Sequence, residues 1–236
     1  MAWDPERMEA AHLLGIGGIG VSAVARLLLA RGVRVTGSDV KESSITRALR
    51  GEGATVHIGH DAAHLSGNPD VVVHSTAIPE DNVELLAARR VGLPVAHRSE
   101  LLAALVADHA DAVGVTGTHG KGTVSSMVTR ILDHAGLEPG FCIGGMLMDY
   151  GTNARAAGEG SEILVAEVDE SDGSQLRVRP AHVAIHFVEA DHLNYYDDVD
   201  DIVAHSARFV NDNPRLRTLC LNVGCAGVRA LAARLE

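Results

Sequence analysis

Apolar and polar positions follow two alternating periods along this chain, and these predict strands and helices in turn. Short apolar runs bounded by glycine and polar residues are typical of strands in a parallel sheet. The predicted strands are His12–Ile16, Val33–Gly37, Thr55–Ile58, Val71–His74, Leu93–Ala96, Ala112–Thr116, Ile163–Glu167, Val183–Phe187 and Thr218–Asn222. The predicted helices are Val21–Arg31, Ser44–Arg50, Val83–Val91, Glu100–Ala107, Lys121–His134 and Val228–Leu235. This alternation predicts parallel sheets covered by helices.

The succession of strand, glycine-rich loop and helix begins twice, near the N-terminus and again after Asp111. We therefore predict an α/β fold of two doubly wound, mostly parallel-sheet units joined at Asp108–Asp111. Residues 1–108 form a Rossmann-like domain. Residues 109–236 form an incomplete P-loop-type domain, because the last helix is not followed by the strands expected after it.

Composition narrows the class of protein. The net charge of −11 disfavours binding to nucleic acid or to an anionic membrane surface. No segment reaches the roughly 18 apolar residues of a membrane span, and the polar N-terminus does not match a signal peptide. Three cysteines without zinc spacing indicate reduced thiols. We expect a cytoplasmic protein that binds neither nucleic acid nor membrane.

The first glycine loop carries Gly15, Gly17 and Gly20 in G-x-G-x-x-G spacing between a strand and a helix. Glycines let the backbone approach a phosphate, and the helix N-terminus supplies N–H donors. Asp39 ends the second strand, where a dinucleotide enzyme carries its ribose-binding acid. By itself, the pattern favours an NAD-dependent enzyme, with a purely structural glycine turn as the alternative.

The second glycine loop, in VGVTGTHGKGTVSSM, carries Lys121 at the start of a helix. Such a loop holds ATP phosphates with backbone N–H groups, while the lysine reaches the β- and γ-phosphates. It is not a standard P-loop, because Val115 occupies the position of the first glycine and Gly122 that of the hydroxyl residue.

Acidic residues and a histidine follow two later strands. Glu167, Asp169, Glu170 and Asp172 follow one, and Glu189, Asp191 and His192 follow the other. At the carboxyl ends of parallel strands, beside a phosphate loop, Glu167 and His192 are candidates to hold Mg²⁺ against ATP. The alternative, a solvated acidic surface, is our interpretation of Asp197, Asp198, Asp200 and Asp201.

Taken together, these segments resemble the Mur ligase family. The strings HLLGIGGIGVSAVA, VTGSD, VVVHSTAIPEDN, LPVAHRSELLA, GVTGTHGKGT, VAEVDESDGS and VEADH run in the family's order over essentially the whole chain. His119, where several sister ligases carry asparagine, points to the alanine-adding members or the similar tripeptide-recycling ones.

The resemblance implies that the first domain binds a UDP-N-acetylmuramate-like substrate and not NAD. The residues facing the pyrophosphate would be Gly15, Gly17, Gly18 and Gly20. The residues near the nucleotide or sugar would be Asp39, Ser75, Thr76 and Arg98. The second domain would bind ATP and Mg²⁺. The implied cofactor-binding residues are Gly117, Thr118, His119, Gly120, Lys121 and Thr123. The implied metal ligands are Glu167 and His192. The implied catalytic residues are Lys121 and His192.

The implied reaction is the ATP-driven formation of an amide bond in peptidoglycan synthesis. The muramoyl carboxylate would attack the γ-phosphate of ATP, which releases ADP and gives an acyl phosphate. The amino group of an amino acid would then displace phosphate from this acyl group through a tetrahedral intermediate.

This chain departs from the family's pattern at several positions. Gly122 replaces a threonine or serine, Phe187 an asparagine and Gln175 a phenylalanine. Gly224–Ala226 replace an aspartate pair and a proline. Thr123 lies about 100° further round the helix than Gly122, so we expect its side chain to point away from the place of the family's hydroxyl group. Gly122 predicts weak Mg-ATP binding. The lack of the family's C-terminal domain, which would position the amino acid and cover the acyl phosphate, predicts no ligation by the 236-residue chain alone. The alternative is a degenerate or repurposed homologue that binds a nucleotide-type ligand in a specialised pathway.

Overall fold

The computed structural model describes residues 3–5 and 7–236, and the chain divides into two compact units. The first extends to Leu101 and includes the later segment Met148–Arg155, and the second comprises Leu102–Leu147 and Ala156–Glu236. The predicted boundary at Asp108–Asp111, between a UDP-sugar-binding and an ATP-binding domain, stays a prediction.

The first unit is a five-stranded sheet in the order β3-β2-β1-β4-β5. Its strands are β1 (Ala10–Leu14), β2 (Arg34–Asp39), β3 (Thr55–Ile58), β4 (Val71–His74) and β5 (Val95–His97). Every neighbouring pair is parallel. The direction of winding reverses at β1, so the loops after β1 and β4 border the crevice where such sheets bind ligands.

Helices α1 (Ile19–Ala30), α2 (Ser44–Gly51) and α3 (Val83–Val91) connect these strands, and α4 (Arg98–Ala107) follows β5. Of the central strands, β1 is buried along its whole length and β4 up to its last residue, as expected when helices cover both faces. A later strand, β8 (Thr152–Arg155), packs against α1.

Five strands of the second unit follow the order β11-β10-β6-β9-β7. They are β6 (Val113–Thr116), β7 (Gly140–Leu147), β9 (Leu164–Glu167), β10 (His182–Ile185) and β11 (Thr218–Leu221). All four neighbouring pairs are parallel. The loops after β6, β9 and β10 therefore lie at one edge of the sheet. The helices are α5 (Lys121–His134), α6 (Val199–Asn211) and α7 (Ala226–Ala232).

The predicted fold class, two doubly wound and mostly parallel units, is confirmed. Both glycine loops lie between the carboxyl end of a strand and a helix N-terminus, and the predicted bounds of Thr55–Ile58, Val71–His74, Val83–Val91 and Lys121–His134 match those observed. The prediction lacked β7, β8 and α6. In the described part of the chain, none of the helices is both long and apolar enough to span a membrane.

Candidate functional site

The first glycine loop, Gly15–Gly18, turns the chain from β1 into α1. Gly15 has a φ of 66°, which favours glycine, and the N–H of Gly18 donates to the carbonyl of Gly15 at 2.9 Å. Gly18 is the N-cap of α1, and no side chain caps the helix. The N–H groups of its first turn are therefore available to an anionic ligand.

Asp39 braces this loop. Its carboxylate accepts a hydrogen bond from the backbone N–H of Gly17 at 2.9 Å and another from Lys41 at 3.3 Å. A Cβ atom at Gly17 would lie 2.8 Å from the same carboxylate, so a larger residue would displace it. The predicted nucleotide-binding acid thus also determines the conformation of the glycine loop.

The remaining predicted substrate residues of the first unit lie around the same turn. The guanidinium of Arg98 lies 3.2 Å from the place of a Cβ on Gly20, in the first turn of α1. Ser75 and the exposed Thr76 follow β4, and the carbonyl of Ser75 accepts from the N–H of Ile78 at 3.0 Å. The Ile78 side chain in turn lies 3.2 Å from the place of a Cβ on Gly15. Arg98 is thus the cation beside the loop.

A buried carboxylate, Glu84 at the start of α3, anchors the end of β2 from inside the unit. It accepts a hydrogen bond from the Ser38 hydroxyl at 2.5 Å and one from the N–H of Asp61 at 3.1 Å. Histidine nitrogens surround the same carboxylate, at 3.3 Å for His12, 3.4 Å for His60 and 2.5 Å for His64.

Burial acts to raise the pKa of Glu84, but the hydrogen bonds from His12, Ser38 and His64 outweigh it and lower the pKa to about 2. No motif in the sequence singles out these three histidines as a group. The useful signal was His12, a polar residue within an otherwise apolar strand.

The second glycine loop, Gly117–Gly120, follows β6 and packs on the chain after β10. Gly117 and Gly120 have φ values of 126° and 79°. Their Cβ atoms would lie 2.6 Å from the carbonyl oxygen of Phe187 and 2.5 Å from the His186 ring. The N–H of Thr118 donates to the Phe187 carbonyl at 2.9 Å. Only glycine therefore fits at either end of this loop.

Lys121, the first residue of α5, reaches back across the loop. Its ammonium donates to the Gly117 carbonyl at 3.0 Å and to the Glu170 carboxylate at 3.0 Å. Glu170 is buried, and its desolvation raises the pKa of the carboxyl despite the opposing effect of Lys121. An ammonium has three donors, so Lys121 has a third N–H for a phosphate.

Glu167, at the end of β9, faces a cavity of about 420 Å³ beside the loop. Its Oε2 accepts from the N–H of Gly144 at 2.9 Å and lies 3.3 Å from the place of a Cβ on Gly122. Gly120, Gly122 and Thr123 line the same cavity. The rotation of Thr123 round the helix, expected to turn it elsewhere, does not remove it from this cavity.

His192 lies in a third loop of this edge, with a φ of 52° that is strained for a histidine. Its Nε2 lies 3.5 Å from Glu170 and 3.6 Å from Asp191. His119 is half exposed, and its ring nitrogens lie 3.7 Å from Asp191 and 3.8 Å from Glu189. Lys121 and His192 thus meet at one carboxylate, Glu170, for which the sequence had suggested no separate role.

No group of three or more His, Cys, Asp and Glu side chains in the described residues could hold a metal ion. Mg²⁺ bound with a nucleotide commonly takes only one or two carboxylates and completes its shell with phosphates and water. The Glu167 carboxylate, open to the cavity and next to the lysine loop, fits that requirement.

The structure shows the surroundings of three of the departures noted in the sequence. Gln175 accepts a hydrogen bond from the Thr116 hydroxyl at 3.0 Å, and both residues are buried. Phe187 supplies the backbone that supports the glycine loop, and this does not depend on its side chain. Gly122 leaves space beside Glu167 that a hydroxyl residue would fill.

The fold and these sites define an α/β protein with a glycine loop at the N-terminus of a helix in each of its two units, and family models match both units. Residues 10–110 match the Mur ligase family catalytic domain, and residues 115–235 match the Mur ligase middle domain. The chain belongs to the Mur ligase family.

The chain is similar to proteins named UDP-N-acetylmuramate–L-alanine ligase. It is 47% identical over 206 residues to the one from Carboxydothermus hydrogenoformans, and the aligned region covers 87% of this chain and 44% of that protein. It is 47% identical over 229 residues to the one from Paenarthrobacter aurescens, with coverage of 97% and 49%. The chain therefore spans about half the length of these relatives.

The chain is also similar to solved structures of ligases. A UDP-N-acetylmuramate:L-alanyl-gamma-D-glutamyl-meso-diaminopimelate ligase from Neisseria meningitides has a TM-score of 0.87 at 28% identity, covering 96% of this chain and 75% of that one. A UDP-N-acetylmuramate-alanine ligase from Thermotoga maritima has a TM-score of 0.81 at 28% identity, with coverage of 94% and 51%.

Proposed function

We propose that this chain belongs to an ATP-dependent ligase that joins L-alanine to UDP-N-acetylmuramate in peptidoglycan synthesis. The first unit binds the UDP-sugar, and the second binds ATP with Mg²⁺. The observation that carries the proposal is the position of Lys121, which bridges its glycine loop and Glu170 at the same sheet edge as Glu167. The names of the similar proteins supply the choice of substrates.

In the first unit, the pyrophosphate lies on the backbone N–H groups of Gly15–Gly18 and the first turn of α1. Gly20 has no side chain, so the ligand can come close to this turn, and Arg98 balances its negative charge. Asp39 holds the loop through Gly17 while it faces the nucleoside. Ser75 and Thr76 contact the nucleotide or sugar from the loop after β4.

In the second unit, Gly117–Gly120 and the N-terminus of α5 bind the ATP phosphates, and the third N–H of Lys121 reaches the γ-phosphate. Glu167 and His192 would hold the magnesium ion, and the bound ion would supply positive charge to neutralise the phosphates. Lys121 also stabilises the charge that develops as the muramoyl carboxylate attacks the γ-phosphate and as the amino group displaces phosphate. We propose a cytoplasmic protein, consistent with these substrates.

A second candidate function is a repurposed homologue that keeps the UDP-sugar site but binds Mg-ATP weakly. Gly122 favours it, because this position offers no hydroxyl to a cation beside Glu167.

Calorimetry tests both candidates. The unmodified chain, titrated with UDP-N-acetylmuramate, UDP and NAD, is expected to bind the uridine compounds more tightly than NAD. Tighter binding of NAD would overturn the assignment of the first unit. Titration with Mg-ATP is expected to show binding that Lys121→Met weakens, and binding unaffected by that substitution would refute the second unit's role.

A further inference from the structure

Few of the side chains that line the cavity beside the second glycine loop carry an oxygen atom. The described residues that line it are Gly120, Gly122, Thr123, Ser126, Ile143, Gly144, Gly145, Met146, Leu147 and Glu167. Glu167 is the one carboxylate among them, and Thr123 and Ser126 are the two hydroxyl residues. The rest of the lining is apolar side chains and glycine backbone, so a cation in this cavity has few side-chain ligands to choose from.

The two hydroxyl residues differ in availability. The Ser126 hydroxyl donates a hydrogen bond to the carbonyl of Gly122 at 2.6 Å, within α5. Thr123 is exposed, one residue after the glycine. Its hydroxyl makes no hydrogen bond to any other residue in the described part of the chain. The Ser126 oxygen keeps its lone pairs, but its hydrogen bond fixes the hydroxyl against the helix backbone. The Thr123 hydroxyl has no such constraint, so it is the freer of the two to turn toward a ligand in the cavity.

The Glu167 carboxylate lies over the start of α5. The N–H of Gly144 holds its Oε2 from one side, and the bare Cα of Gly122 faces the same oxygen from the other. A Cβ at Gly122 would be only 3.3 Å from Oε2, so the absence of a side chain lets the carboxylate approach the helix. Thr123, the next residue of α5, lines the same cavity as this carboxylate.

We propose that the hydroxyl of Thr123 joins the carboxylate of Glu167 in binding the divalent cation that accompanies the nucleotide. The inference rests on the proposed function, since the nucleotide phosphates supply further ligands. Two oxygen ligands from the protein are typical of Mg²⁺ in phosphate-binding sites, where waters complete the octahedron. Thr123 thereby performs the role that Gly122 cannot.

The test measures how much magnesium strengthens nucleotide binding. A non-hydrolysable ATP analogue is titrated into the unmodified chain with MgCl₂ and again with EDTA, and the ratio of the two dissociation constants is the metal enhancement. Thr123→Val keeps the shape of the side chain but removes the oxygen. It is expected to reduce the enhancement by about tenfold to a hundredfold, as is typical when support for a metal ligand is lost.

Two further variants separate ligation from folding. Thr123→Ser keeps a hydroxyl and is expected to keep most of the enhancement, while Glu167→Gln is expected to lose it. Thr123→Val is expected to weaken binding more in MgCl₂ than in EDTA, because only the metal-dependent part needs the hydroxyl as a metal ligand.

The outcomes distinguish the two proposals. Full metal enhancement in Thr123→Val would overturn the role of Thr123 and leave the nucleotide site standing. Equal weakening of Thr123→Val in MgCl₂ and in EDTA would also overturn it, because the defect would then be structural. No binding of the analogue to the unmodified chain, with or without MgCl₂, would overturn the proposed nucleotide site itself.

Discussion

Ser38 and Glu84 connect the interior of the first unit to its glycine loop. The Ser38 hydroxyl donates to the Glu84 carboxylate at 2.5 Å, while the Ser38 carbonyl accepts the N–H of Ile16 at 3.0 Å. The next residue, Asp39, holds Gly17. A buried carboxylate on α3 thus fixes the strand end from which the loop is positioned.

We predict that this carboxylate makes the first unit sensitive to acid. The folded-state pKa of Glu84 is lowered from 4.5 to about 2, so its stabilisation is complete above pH 4.5 and is lost as the pH falls toward 2. A shift of this size corresponds to about 3 kcal/mol in the free energy of unfolding. Urea unfolding between pH 7 and pH 2, monitored by circular dichroism, measures it.

The matched comparison is Glu84→Gln with Glu42→Gln. Glu84→Gln is expected to destabilise the unit at pH 7 and to remove this part of the acid dependence. Glu42 forms exposed ion pairs with Arg47 and Arg50, which contribute little, so its substitution is expected to have a small effect. Equal pH profiles for Glu84→Gln and the unmodified chain would contradict the prediction.

Gly17→Ala is predicted to weaken UDP-sugar binding. The new Cβ would lie 2.8 Å from both the Asp39 carboxylate and the Thr46 side chain, and relieving such overlap costs about 1–3 kcal/mol. If the loop moves to relieve it, affinity for UDP-N-acetylmuramate falls about tenfold or more. Gly51→Ala is the control, because a Cβ there has no neighbour within 4 Å. Calorimetry giving the same affinity for both variants would refute the prediction.

Much of the fold could be predicted from the sequence because most of its strands are buried apolar runs and its loops carry glycine. The prediction lacked β7, whose sequence GFCIGGML mixes glycine with apolar residues and shows no clean period. It also lacked α6, because the aspartates before it were interpreted as acidic surface. Asp198 is indeed exposed, but it also caps α6 by accepting from the N–H of Asp201 at 2.9 Å.

The candidate site was predictable where a motif fixes position and unpredictable where contacts cross the fold. The glycines and Lys121 follow from local spacing, since a strand, loop and helix are adjacent in the chain. Glu170 and Glu84 could not be singled out, because their partners Lys121 and His12 lie 49 and 72 residues away. Sequence spacing carries no signal for such pairs.

Lys121→Met is predicted to lower both ATP affinity and stability. Glu170 would lose the cation that compensates its burial, and breaking a buried ion pair in this way costs about 3 kcal/mol or more. Adding Glu170→Gln removes the uncompensated charge, so the double variant is expected to recover stability without recovering Mg-ATP binding. Thermal unfolding and calorimetry report the two effects separately, and recovery of binding in the double variant would argue against direct contact of Lys121 with phosphate.

Gly122→Thr is predicted to raise Mg-ATP affinity. The new Cβ would lie 3.3 Å from Glu167 Oε2, a distance that a shift of a few tenths of an ångström in that side chain relieves, and the hydroxyl would stand beside the carboxylate. A second hydroxyl ligand is expected to strengthen magnesium-dependent binding by about tenfold, as for other changes in metal support. Gly122→Ala is the control for the added Cβ, because it places the same atom beside Glu167 without an oxygen, and it is expected to give no gain. In the Thr123→Val background, Gly122→Thr is expected to restore the metal enhancement. Calorimetry in MgCl₂ and in EDTA measures each effect, and a gain shared by the alanine variant, or one that persists in EDTA, would show that the hydroxyl is not a metal ligand.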